Sequence, residues 1–131
     1  MSLTTAGARL ISKALTGLNS PTLLNSTNAA LGVGDGGGTA FAIGQTDLQG
    51  TNKSRKQVTS VVESTGVITL SSTWGTAEGN GYAWSEWGVF NSGTASSGGD
   101  MVGRKVESPD LGAKTSAQVW VLQATATVSA S

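Results

Sequence analysis

The chain has 131 residues, eight basic and eight acidic side chains, and neither cysteine nor histidine. That balance leaves no basic footprint for nucleic acid or for an anionic membrane surface. The two missing residue types remove disulfides, thiolate nucleophiles, imidazole bases and the usual zinc and copper ligands together.

Uniform composition fits one β domain over residues 1–131, large enough for a single modest core. The nineteen glycines lie among many serines and threonines. Short alternating runs of valine, isoleucine, leucine and tryptophan separate the chain from disordered sequence and point to a turn-rich β fold. The N-terminus "MSLTTAGARLISKALTG" has no basic start followed by a long apolar run and a cleavage site, and no apolar stretch reaches the roughly 20 residues that span a bilayer. The expectation is a soluble, unsecreted chain.

Within residues 1–19 one helix is expected: Thr4 or Thr5 caps it, Leu10, Ile11, Ala14 and Leu15 fall at helical spacing, and Gly17 ends it. The stripe Leu10, Ile11 and Leu15 is expected to be buried, against a sheet or a neighbouring subunit. Residues 28–128 read as the β domain proper. It opens with a short strand at Ala29 to Gly34 that runs into the loop "DGGGTA". The polar, basic stretch from "QTDLQG" to "NKSRK" follows, with one helical turn around Asp47 and Leu48.

Beyond Lys56 the period becomes two. "KQVTSVVE" and "VITLSSTW" flank Ser64, Thr65 and Gly66 and read as a β-hairpin with glycine at the turn. "YAWSEWGVF" is the next strand, "NSGTASSGGD" a loop, "MVGRKVE" a strand, and "TSAQVWVLQATATV" a long final strand. Five or six strands with mostly hairpin connections imply a mainly β fold, an antiparallel sandwich or small barrel, with one N-terminal α-helix covering an open edge or face.

Three stretches invite a functional reading. "GVGDGGG" suggests a phosphate loop, but no helix opens after the glycines and no G-K-[ST] follows, so it reads as a strand-to-strand connection. Asp35, Asp47 and Asp100 lack calcium-loop spacing and read as solvated loop acids. "KSRK", Lys53 to Lys56, reads as a solvated basic turn, with contact to phosphate or to an acidic partner surface as the alternative. Glu63, Glu78 and Glu86 are not paired by any spacing that acid–base glycoside chemistry would use. The chain is therefore expected to be non-enzymatic, with no catalytic residues, no cofactor, no metal, no nucleic-acid partner and no membrane.

"GYAWSEWGVFN", Gly81 to Asn91, holds four of the seven aromatics. In a strand, Tyr82, Trp84, Glu86, Gly88 and Phe90 share one face, and Ser85, Trp87 and Val89 the other. Either the strand is buried on both sides, or one aromatic face is core and the other a subunit contact. Glu86 needs a cation, and "MVGRKVE" offers Arg104, with Lys105 second.

The ordered series "LGVGDGGGTAFAIGQTDLQGTNKSRK", "WSEWGVFN", "MVGRKV" and a terminal alternating strand resembles a group of small bacteriophage virion structural proteins. The matching positions are Gly32 and Gly34, Thr46 to Gln49, Arg55, Glu86 to Phe90, and Met101 to Val106, and the resemblance covers residues 28–128. Such proteins are capsid decoration, collar or tail-fibre parts. The chain stops directly after its last strand, whereas fibre proteins run on into repetitive shafts, which favours a compact capsid decoration (cement) role.

What the resemblance implies is a non-enzymatic phage protein, made in the host cytoplasm and located in the virion. Its partners would be itself, as trimers or hexamers, and phage coat or tail proteins. The alternative is a tail-associated, collar or fibre-tip protein whose loops "NSGTASSGGD" and "DGGGTAFAIG" contact a receptor or glycan, with Trp74 or Tyr82 stacking on sugar.

Overall fold

In a computed structural model, which describes residues 1–92 and 99–129, the fold is mainly β: two separate antiparallel sheets and one helix. It is a sandwich and not a closed barrel. The elements are β1 (Ser2–Leu3), α1 (Thr5–Thr16), β2 (Ala30–Gly34), β3 (Lys53–Gln57), β4 (Ser60–Ser64), β5 (Val67–Trp74), β6 (Glu86–Phe90), β7 (Met101–Val106) and β8 (Trp120–Thr127). The first sheet runs β1-β7-β6-β2-β3 and the second β4-β5-β8.

Helix α1 forms between the expected caps. Thr4, extended at its backbone, accepts the Gly7 N–H on its hydroxyl, and Gly17 closes the other end in the left-handed region at φ 68°. The Thr4 hydroxyl also donates to the Met101 carbonyl, and Thr4 N–H donates to Val102 O at 3.0 Å, which ties the helix start to β7. A side chain at Gly7 would overlap the Val102 carbonyl, so glycine permits this close approach. Leu10 is buried as expected, but Ile11 is half exposed and Leu15 is 84% exposed, so only one row of the stripe lies on the chain's own core.

The β4–β5 hairpin turns on Thr65 and Gly66, both at positive φ (49° and 82°), the two-residue geometry whose twist suits paired strands. The expected single run "KQVTSVVE" is divided between the sheets: Lys56 and Gln57 end β3, and Val58 and Thr59 carry the chain across to β4. "KSRK" lies in edge strand β3 and is not a turn. The segment around Asp47 and Leu48 forms no helical turn. Most of the loop "NSGTASSGGD" lies outside the described residues.

The principal core fills the space between the sheets. Leu31, Val33, Trp87 and Val89 from the first sheet meet Leu70, Trp74 and Ala124 from the second, with Leu10 of α1 joining them. Only Glu86–Phe90 of the aromatic segment is strand; Tyr82 to Ser85 form a connection that breaks the expected alternation. Trp84 therefore turns to the same side as Trp87. It stands edge-on to Trp74 at 5.1 Å and to Trp120 at 4.9 Å between ring centroids, the T-shaped geometry that aromatic quadrupoles favour. Strand β6 is buried throughout, so both of its faces are covered within one chain, and neither is left over for a subunit contact.

Candidate functional site

The outer face of the first sheet carries the residues on which the sequence concentrates its unusual chemistry. Cross-strand register places Arg55 opposite Gly32, Gly32 opposite Gly88, and Gly88 opposite Arg104. A row Arg-Gly-Gly-Arg thus crosses four strands, with a shallow seat at its centre. Leu48 occupies the seat: side chains at Gly32 or Gly88 would run into its methyl groups. Leu48 packs there with Ala30, Phe90 and Met101 as a second core cluster, which burial draws away from any helical turn.

Each end of the row holds an acid. Arg55 reaches Asp47 at 3.2 Å and lies over the Phe90 ring, 3.5 Å from its centroid, a cation–π contact. Burial pulls its guanidinium pKa down, against the opposing pull of Asp47. Lys53 binds the same carboxylate at 2.7 Å. At the other end, Arg104 Nε donates to Glu86 Oε2 at 2.6 Å, and both side chains are 0% exposed. Lys105 instead pairs with Glu107.

The Glu86 carboxylate is also surrounded by backbone. The N–H groups of Gly36 and Gly50 donate to Oε1 at 3.1 and 2.7 Å, and that of Gln49 to Oε2 at 3.0 Å. Arg104 in turn donates to the carbonyls of Gly36 and Thr39, both at 2.9 Å. A buried ion pair is tolerable only when its remaining lone pairs and protons are met in this way. The glycines make the approach possible, since a Cβ at Gly34 or Gly36 would meet Glu86 Oε1 and one at Gly37 would meet Ser85. "GVGDGGG" does cradle an anion with backbone amides, as phosphate loops do, but the anion is the chain's own carboxylate. The loop 35–52 is latched over the sheet by these bonds.

The remaining singled-out residues are dispersed into local contacts. Asp35 accepts from Asn52 N and Nδ2 at 3.0 and 2.7 Å, and the side-chain bond leads in lowering its pKa. The Asp100 N–H donates to Asn91 Oδ1 at 2.7 Å. Glu78 pairs with Lys56 at 2.5 Å, which holds its carboxyl below the usual value, and Glu63 accepts from Gly66 N–H at 2.9 Å. No cluster of three metal-ligating side chains occurs among the described residues. Trp74 is fully buried, its indole N–H on Ser54 Oγ at 3.0 Å, and it offers no stacking face to a sugar. Tyr82 is half-buried against the core, and burial pushes its hydroxyl pKa up. Lys114, not marked by any sequence pattern, is buried and donates to Asn80 Oδ1 at 2.7 Å.

The surface also carries an apolar patch. Leu3, Ala8 and Ile43 line a depression of about 250 Å³ beside the start of α1. Ile43, 66% exposed, is held there by the Thr5 N–H to Ile43 O bond at 2.9 Å. Ala8, Ile11 and Leu15 fall at i, i+3 and i+7 on one helix face and extend the patch along α1. Among the described residues no helix is long and apolar enough to cross a membrane. No family model matches the chain, and no curated protein and no solved structure matches it.

Proposed function

We propose that the protein is a non-enzymatic structural component of a bacteriophage virion, a capsid decoration protein that self-associates and binds the coat. The observation that carries this reading is the apolar patch of Leu3, Ile43, Ile11 and Leu15, a kind of surface that soluble chains keep for partners. In this reading the patch is the contact with a coat protein.

Two further observations support it. The acids that could serve catalysis are engaged in structural contacts, Glu86 most completely. The residues that carry the resemblance to phage virion proteins, from Gly32 through Leu48 and Arg55 to Glu86 and Arg104, form one connected latch between loop and sheet. The resemblance is then one of fold-bearing residues and not of scattered surface positions.

The test is co-sedimentation of the purified chain with capsids that lack it. Saturable binding in many copies per shell, weakened by Leu15→Asp and by Ile43→Asp, is the expected result. Binding at the tail in low copy number would favour the collar or fibre-tip reading. Turnover of a polysaccharide would overturn both.

A further inference from the structure

The two sheets expose four edges, and three of them are guarded. β1 is two residues long; β3 carries Lys53, Arg55 and Lys56; β4 is short and carries Glu63. Short length and charge are the usual means by which an edge avoids pairing with another chain. β8 differs. With its flanking residues Val119 and Val128 it contains no charge and no proline, and within the described residues it pairs only with β5. Val119 and Val121 stand 59% and 64% exposed on its outer face.

The edge also presents unused backbone. Val128 N–H donates to Gly66 O, so the antiparallel alternation turns Ala126, Ala124 and Leu122 toward β5. The N–H and C=O groups of Val121, Gln123, Thr125 and Thr127 consequently point away from the sheet. Open grooves flank this edge, one of about 520 Å³ that includes Trp84, Leu111 and Leu122, the other of about 320 Å³ that includes Met1, Trp87 and Lys105.

We infer that β8 pairs with β8 of a second copy of this chain, antiparallel about a two-fold axis at Gln123, joining two three-stranded sheets into one of six. This register fits the strand to itself. Val121 falls opposite the second copy's Thr125 and Val119 opposite its Thr127, β-branched pairs that suit a sheet surface. On the inner face Leu122 meets Ala124 and Trp120 meets Ala126, so each large side chain faces a small one. The outward N–H and C=O groups become the hydrogen-bonded pairs of the new ladder. No charge opposes its like, whereas β3 paired with itself would oppose its own cations. Such a contact is isologous and closes at two copies, and a hexamer then follows as three dimers. The inference rests on the reading of the protein as a self-associating part, but its test needs only the isolated chain, so its failure leaves the capsid-binding test standing.

Sedimentation of the full chain at about 100 µM should give twice the chain mass of 13.1 kDa. Gln123→Lys places like charges on the axis and should yield a folded monomer whose melting temperature, unlike that of the dimer, does not depend on concentration, because the side chain lies on the exposed face and only the association is lost. Val121→Lys with Thr125→Lys should dissociate the dimer, while Val121→Lys with Thr125→Glu should retain it. The native chain has no cysteine, so Gln123→Cys with diamide as oxidant should give a covalent dimer, since hydrogen-bonded pairs sit about 5.5 Å apart at Cα, within disulfide reach. A monomeric chain, a dimer indifferent to Gln123→Lys, or equal cross-linking of Glu63→Cys on the opposite edge would overturn the inference.

Discussion

Removing Glu86 probes the latch most directly, because four donors converge on its carboxylate. Glu86→Ala leaves the Arg104 guanidinium fully buried without its counter-charge, and strips acceptors from the N–H groups of Gly36, Gln49 and Gly50. Breaking a buried pair from one side costs ~3–5 kcal/mol, and we expect about 4 here. Arg104→Ala leaves a carboxylate still met by three amides, so about 3 kcal/mol, the lower end, is expected. In the double variant neither charge is stranded. Its loss should then fall short of the sum by ~0.5–3 kcal/mol, the range of coupling between residues in direct contact. The assay is urea unfolding followed by tryptophan fluorescence, which the buried cluster of Trp74, Trp84 and Trp87 makes sensitive to core opening. Losses that add to within ~0.5 kcal/mol, or a Glu86→Ala loss under ~1 kcal/mol, would refute the view that this pair locks the loop to the sheet.

Gly36→Ala drives a methyl group into Glu86 Oε1 and the Gly50 amide, and should cost ~1–3 kcal/mol in the same assay, whereas Gly38→Ala, with open space around it, should stay within ~0.5. The Trp87 indole N–H, donating at 2.8 Å, leads in holding the Glu107 carboxyl below its ordinary 4.5. The stability this lends is complete above pH 4.5 and fades as pH falls through the lowered folded value; Glu107→Gln should therefore be less stable than the native chain at pH 7, with the two melting curves converging in acid. Leu10→Ala should destabilise the chain by ~2–3 kcal/mol, while Leu15→Asp should leave its unfolding free energy within ~0.5 kcal/mol of native and reduce capsid binding.

What could be read from the sequence was local or short-range. Thr4 and Gly17 mark the helix because capping needs only a hydroxyl and a residue that accepts positive φ. Thr65 and Gly66 mark the hairpin for the same kind of reason. The Glu86–Arg104 pair was legible because an acid among buried aromatics requires a cation, and the next strand supplied one.

The loop 35–52 was not legible, because its conformation is set by a seat built from Gly32 and Gly88, residues 56 positions apart in the chain. The helical turn expected at Asp47 and Leu48 lost to the burial of Leu48 in that seat and to the salt bridges of Asp47. A period-two pattern extended back through Tyr82 to Ser85 puts Trp84 on the wrong face, because the chain is not yet strand there. The exposure of Ile11 and Leu15 lay beyond a helical pattern, which shows that a stripe is apolar but not what covers it. The latch does leave a trace in the sequence: Gly34, Gly36 and Gly50 are glycines because a Cβ at the first two would meet Glu86 and one at the third would meet Asp35 and the Gly36 amide, but a glycine-rich loop alone does not say which anion its amides face.

The most direct test of the proposed capsid role is imaging of virus particles assembled in cells that express this chain, with the chain labelled and its copies counted and placed. The expected result is many copies distributed over the capsid shell on its lattice axes. A few copies confined to the tail, or particles devoid of the chain, would contradict it.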